Sequence, residues 1–236
     1  MAEDELTRKL ELAADWIISR ARFNRLSLWK NVLFHPTATF AEELKAPSLA
    51  RGAMDIFISY FALAIILLTV YAVIVAVIFI FIFAVSGFQN PLTLLLLLGA
   101  EIAIVLVASV FLSLVSLLGW LFQSGVDFIL ARLFGGKGSF TPHAYLYALS
   151  MAAFIASYLP LFVLTFIPCL GMIVSTLGIA LSIYHVYLRY KAVRMVHGLG
   201  QWPAIAVILI PSILIFVTVI LAYILLIIFT FSLPAR

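Results

Sequence analysis

IFISYFALAIILLTVYAVIVAVIFIFIFAV, residues 56–85, runs for thirty residues without one charged side chain. As an α-helix it is about 45 Å long at 1.5 Å per residue, against a hydrocarbon core about 30 Å thick. Tilt alone does not absorb that difference, so one end should project from a membrane or bend. Four more apolar runs follow, at about 91–122, 143–166, 168–190 and 203–231. The expected fold is all-α: an integral membrane bundle of five transmembrane helices over residues 52–236, preceded by an amphipathic segment over 1–51.

Composition agrees. The chain is 66% hydrophobic and 10% charged, whereas soluble domains average about 45–50% apolar and about 25% charged. A water-soluble fold of this size cannot hide that much apolar surface. Orientation follows from the basic residues. Arg8, Lys9, Arg20, Arg22, Arg25, Lys30, Lys45 and Arg51 precede the first span. Arg132 and Lys137 lie between the second and third spans, and Arg189, Lys191 and Arg194 close the fourth. The turns near Gln89 and Ile167 are uncharged, and only Arg236 lies at the other end. Cytoplasmic loops retain Lys and Arg. The expected threading therefore has the N-terminus in the cytoplasm and the C-terminus outside. Residues 1–11 are acidic and polar, unlike a signal peptide, so the first span is expected to serve as its own insertion signal.

Residues 3–34 read as an amphipathic helix, with Leu6, Leu10, Ala13, Ala14, Ile17, Ile18 and Ala21 at three- and four-residue spacing. Trp16, Phe23 and Trp29 stand among Arg20, Arg22 and Arg25, a pattern that suits the headgroup layer. Three placements stay open: across the cytoplasmic ends of the spans, on lipid, or against a partner. Pro36 should end this helix, and a short second one is expected from Thr39 to Lys45, stopped by Pro47. The second helix should continue past the bilayer through Asp127 to Arg132. Gly135, Gly136 and Gly138 then break it. Thr141 and Pro142 read as the N-cap and first turn of the third span. Pro160 and Pro211 are expected kinks.

Ala144, Ala148, Ala152 and Ala156 recur every four residues, and Gly171 and Gly178 punctuate the fourth span. Small residues at such spacing let helices approach closely in lipid, which makes the third span the expected packing centre. Glu101 lies ten residues after Pro91, about 15 Å deep, near the midplane. An ionised, unpaired carboxylate there is costly. Two readings stand open: a neutral Glu101 bonded to Ser150, Ser157, Tyr158 or Thr218 on neighbouring spans, or a carboxyl that meets water, an ion or a polar ligand. Asp55 and Asp127, near the cytoplasmic boundary, are expected to pair with Arg51, Arg132 or Arg189.

GGKGS, residues 135–139, lacks the spacing of a phosphate loop and reads as a tight turn, with binding of a lipid phosphate through Lys137 as a second reading. His35, His143, His185 and His197 share no metal-ligand spacing. The single cysteine, Cys169, rules out an internal disulfide. No metal, no cofactor and no enzyme chemistry are expected. A basic groove with exposed aromatics is lacking, so nucleic acid is not an expected partner.

Three stretches carry a resemblance: LFGGKGSF at 133–140, the segment 167–211 from IPCLGMIVSTLG to AIAVILIP, and VLFHPTATFAEELKAPSLARGAMD at 32–55. Together they resemble the Yip (Ypt-interacting protein) family of five-span membrane proteins, in particular its short prokaryotic members. The resemblance implies five spans with a cytoplasmic N-terminus and a non-enzymatic role. Eukaryotic members act in early secretory traffic and bind Rab GTPases and coat or tether components, largely through a long N-terminal region. This chain offers only about fifty residues there. The resemblance thus implies a bacterial or archaeal cell membrane as its home, or a Golgi or ER membrane in a eukaryote.

The expected function is a membrane scaffold or adaptor. Its cytoplasmic lipid or partner face would comprise Arg20, Arg22, Arg25, Lys30, Arg132, Lys137, Arg189, Lys191 and Arg194. Anionic headgroups are the expected partner, with a protein partner or a second copy of the chain left open. The alternative is a small ion, proton or lipid transporter component built on Glu101.

Overall fold

A computed structural model describes residues 25–86, 91–167 and 169–232 of the chain. All regular structure among the described residues is helical: α1 (Arg25–Phe34), α2 (Pro36–Glu43), α3 (Leu49–Ser86), α4 (Pro91–Leu133), α5 (Phe140–Leu164), α6 (Gly171–His197) and α7 (Gln201–Ser232). The last five are long and apolar enough to cross a membrane. Most of the expected 3–34 helix, with Arg20 and Arg22, lies outside the described residues.

Local chemistry sets the boundaries. Pro36 does more than end α1: it occupies the first turn of α2, where its missing N–H costs nothing. The second helix therefore starts three residues before Thr39. The Ser48 hydroxyl accepts the Arg51 N–H at 3.4 Å and caps α3 just after Pro47. Ser139, in extended conformation and with no side-chain capping bond, holds the N-cap position of the third span, and Thr141 is already helical. Gly198, at φ 64°, closes α6 and donates its N–H to the Arg194 carbonyl, a left-handed position that glycine takes without strain. Pro160 and Pro211 lie inside unbroken helices.

The core is built around α5, which touches α1, α3, α4 and α6. Ala144, Tyr145, Leu146, Ala148, Leu149, Ala152 and Ala153 are fully buried. Trp29 and Val32 of α1, Phe40 of α2 and Leu188 and Ala192 of α6 complete one cluster around them. Ile56 and Trp120 pack on the Ala144–Ala148 side. Helix α7 joins through Ala204, Val207 and Ile208, which meet Ala131 and Val193. All these residues lie toward the end that carries Arg132, Lys137 and Arg194. Beyond Ala64 on α3, Ser109 on α4 and Pro211 on α7, no described residue toward the opposite end of those helices is buried.

Two contacts fix the relative depth of the helices. A Cβ built on Gly52 would stand 3.2 Å from the Ala148 Cβ. From that level α3 runs about 51 Å to Ser86, while α5 runs about 24 Å to Leu164. Arg189 meets Asp127 at 2.5 Å. From there α4 runs about 54 Å to Pro91, while α6 runs about 27 Å to Gly171. Each comparison leaves the α3–α4 hairpin about 27 Å longer than the α5–α6 hairpin. The Trp120 indole, which donates to the Ala144 carbonyl at 3.0 Å, gives the smallest offset, about 13 Å.

Candidate functional site

The polar chemistry of the chain gathers at the basic end. Asp55 is fully buried on α3. Both its carboxylate oxygens accept from Arg25 Nη1 at 3.0 Å, and Oδ1 accepts the Trp29 indole N–H at 3.2 Å. A buried carboxylate is tolerated when its lone pairs are filled in this way. Asp55 thus pairs with Arg25, not with Arg51, Arg132 or Arg189. Trp29 is only 5% exposed, so it is a core residue and not a headgroup anchor. For the described stretch, α1 takes the first of its three placements, packed across the ends of the long helices.

Arg51 reaches Glu43 at 3.2 Å, also donates to the Ala46 carbonyl, and lies 4.8 Å over the Tyr145 ring. The Tyr145 hydroxyl donates to the same Glu43 carboxylate. These bonds tie α2, α3 and α5 together. Beside them, a recess of about 310 Å³ is lined by Arg25, Asn31, Thr39, Glu42, Glu43 and Arg51. Its mixed charges do not make it an anion site.

A second polar knot joins α4, α5 and α6. Asp127, fully buried, accepts from Arg189 at 2.5 Å and from the Gln123 amide at 3.1 Å. Arg189 lies 4.8 Å over the Tyr147 ring. His143 Nδ1 and His197 Nε2 are 3.1 Å apart, and the Phe128 ring packs at a tilt against both. The GGKG turn seals this knot. Gly136 donates to the Ala131 carbonyl at 2.8 Å, and the Lys137 N–H donates to the His197 carbonyl at 3.2 Å. A Cβ on Gly136 would collide with His197 and the Ala131 carbonyl, and one on Gly138 with the Val196 carbonyl. The Lys-bearing turn is therefore a packed joint against the end of α6.

The sequence-derived basic face survives in part. Lys30, Arg132, Lys137 and Arg194 are exposed, and Lys191 is half-buried over the Tyr187 ring. Arg25 is consumed by Asp55. Arg189 is 8% exposed and held by Asp127, so it belongs to the interior and not to a face.

Glu101 is not assembled with its expected partners. Ser150 donates to the Tyr147 carbonyl, Ser157 to those of Ala153 and Phe154, and Thr218 to that of Leu214, each within its own helix. Tyr158 contacts Phe154 and Gly178 instead. The depth offset explains this: Glu101 lies on α4 at or past the level where α5 ends at Leu164. It sits half-buried in an apolar groove of about 380 Å³ between α3 and α4, beside Ile65, Thr69, Ala72, Leu98, Ile102 and Val105. No hydrogen bond to Glu101 is present among the described residues.

Of the small-residue stripe, Ala144, Ala148 and Ala152 are buried and Ala156 is half-buried. Gly178 lies against the Tyr158 ring, whereas Gly171 faces open space. Gly52 and Tyr145 carry no role in the sequence reading, and Trp29, there a headgroup aromatic, is a core residue. Gly52 carried a faint signal, a glycine just before the first apolar run. The Trp29–Asp55 bond carried none.

Among the described residues no group of three or more His, Cys, Asp or Glu side chains is placed to hold a metal ion. No curated protein and no solved structure is similar enough to the chain to count as a match. The family profile described as the Yip1 domain matches residues 30–224. That stretch runs from α1 to the later part of α7 and takes in Asp55, the GGKG joint and the histidine pair, while Arg25 and Trp29 precede it. With this match over most of its length, the chain is a multi-pass membrane protein that belongs to the Yip1 domain family.

Proposed function

We propose that the chain is a non-enzymatic membrane scaffold, with its basic end in the cytoplasm and its exposed cations turned toward anionic headgroups or an acidic partner. The observation that carries this reading is the division of labour among the polar residues. Asp55, Asp127, Arg25, Arg51 and Arg189 are consumed in holding helices together. Lys30, Arg132, Lys137 and Arg194 are left outward around the same core. A basic residue near an anionic surface gains about 1 kcal/mol. Trp202 is 77% exposed at the start of α7, and aromatic residues of this kind favour the membrane–water boundary. On this reading the basic end faces inward, and the proposed home is a bacterial or archaeal cell membrane, or a Golgi or ER membrane in a eukaryote.

The test is reconstitution into nanodiscs with and without anionic lipid. Anionic lipid should raise the Tm, and the fourfold variant K30Q/R132Q/K137Q/R194Q should lose that increment while keeping its Tm in neutral lipid. An equal increment for the variant would sink the lipid arm. Capture in mild detergent from the native host should then recover an acidic partner, and no reproducible partner would sink the adaptor arm.

A further inference from the structure

We propose that the α5–α6 hairpin enters the bilayer from the basic side and turns back inside it, so that its tip at residues 165–170 never reaches the opposite surface. The first ground is the depth offset. The α3–α4 hairpin outreaches the α5–α6 hairpin by about 13–27 Å along the helix axes. Only one of the two tips can lie at the far surface.

Composition decides which. If the α5–α6 tip lay there, the ends of α3 and α4 would stand in water. Those ends are apolar and uncovered: Val77, Phe81, Val85, Leu95 and Leu96 are all more than half exposed. Each such side chain forgoes roughly 1.5–3 kcal/mol when left in water instead of an apolar phase. The α3–α4 tip is therefore the one at the far surface, and the α5–α6 tip stops short of it.

The tip also closes much of its own backbone, although no side chain caps the first turn of α6 at Leu170. Irregular backbone at membrane depth must have its polar groups satisfied internally. Thr165 donates its N–H to Leu161 and Phe162, Phe166 to Val163, Ile167 to Leu164, and Leu170 to Ile167. Pro168 has no N–H to satisfy. The hydroxyls of Thr165, Ser175, Thr176 and Ser182 all donate to carbonyls of their own turn. Phe166, Ile167 and Met172 are exposed, and no residue from 165 to 188 is charged.

A returning hairpin leaves the orientation of α7 unchanged, since two crossings are removed together. It does change the cross-section. At the smallest offset, about 13 Å in a core about 30 Å thick, the tip stands about 17 Å deep, so the leaflet on the basic side holds five helices and the far leaflet holds three. Such a body is a wedge, and the surface that fits it is a bilayer curved outward on the basic side. This last step rests on the scaffold reading; the depth of the hairpin does not.

The chain supplies its own probe, because Cys169 is its single cysteine and is exposed at the tip. The protein is reconstituted in vesicles and treated with a membrane-impermeant maleimide from each side. C169S/Q89C, with the thiol in the α3–α4 turn, is the control. Gln89→Cys should label fully from the far side, and Cys169 should stay below a tenth of that extent from either side. A bimane placed on Cys169 in detergent before reconstitution should be quenched by lipids spin-labelled along the acyl chain more than by headgroup-labelled lipids. Labelling of Cys169 from either side, or stronger quenching by headgroup labels, overturns the hairpin and leaves the scaffold reading standing. With the hairpin upheld, the protein should be enriched severalfold on tubes pulled from giant vesicles, in the leaflet sense described. Equal density on tube and flat membrane overturns the wedge.

Discussion

Asp127 and Arg189 lie 62 residues apart in the chain and meet at 2.5 Å, in a site where the aspartate is sealed from solvent. This contact locks the second long helix to the fourth and sets their relative depth. Removing one partner of a buried pair strands the other charge, at a cost of about 3–5 kcal/mol. Asp127→Leu should therefore lower the Tm sharply. The double variant D127L/R189M should recover at least half of the loss, because apolar replacements of both partners need no desolvation. Thermal unfolding in one detergent checks both. A double variant no better than the single one would show that the pair does more than compensate charge.

Trp29 offers a finer test, since its ring fills the core while its N–H serves Asp55. Trp29→Phe keeps most of the ring and removes the donor. A hydrogen bond to a charged group contributes about 1.5–3 kcal/mol. Trp29→Ala also empties the site and should cost about 3–5 kcal/mol. The order wild type, Trp29→Phe, Trp29→Ala should appear in melting temperature, and equal Tm for the first two would remove the bond from the account.

The glycines of the joint differ sharply from those on lipid-facing helix surfaces. Gly138→Ala drives a methyl group into the backbone of Val196, and Gly136→Ala into His197 and the Ala131 carbonyl. Overpacking of this kind costs about 1–3 kcal/mol. Gly119→Ala meets nothing within 4 Å and should leave the Tm unchanged or slightly raised, since glycine inside a helix is about 0.5–1 kcal/mol worse than alanine. The three variants, melted side by side, separate a packed joint from a flexible turn.

Glu101 is predicted to be dispensable for folding. It bonds to none of the described residues, and its groove is apolar. On insertion scales a charge at the centre of a transmembrane helix costs about 2.5–3.5 kcal/mol. Glu101→Leu and Glu101→Gln should both be at least as stable as the wild type in nanodiscs. A fall of more than about 3 °C, roughly 1 kcal/mol for a chain of this length, would mean that the carboxyl holds a partner.

The long helices were legible because their signal is length without charge, as in residues 56–85. Their boundaries were legible where a proline or glycine has one physical use, as at Pro91 and Gly198. The extension of α4 to Leu133 was also foreseeable, because its apolar run carries on past bilayer length. The site was much less legible. Arg189 and Lys191 look alike in sequence, yet one is interior and the other borders the surface, since that depends on which helix faces α6. Trp29 has the composition of a headgroup anchor and the position of a core residue. The neighbours expected for Glu101 from sequence require all five helices to keep step. They do not, and no local pattern encodes the offset, because it is set by contacts between distant segments such as Gly52 with Ala148.

The confinement of the core to one end has a mechanical consequence. The far halves of α3, α4 and α7 carry no buried side chain that the core depends on, so their tilt is free to follow the lipid. Thinning or thickening the bilayer should spread or gather these arms as ribs move on a fixed hub. The knot at Asp55 and Asp127 would feel none of it. A family member of this build would tolerate membranes of unequal thickness without retuning its interior.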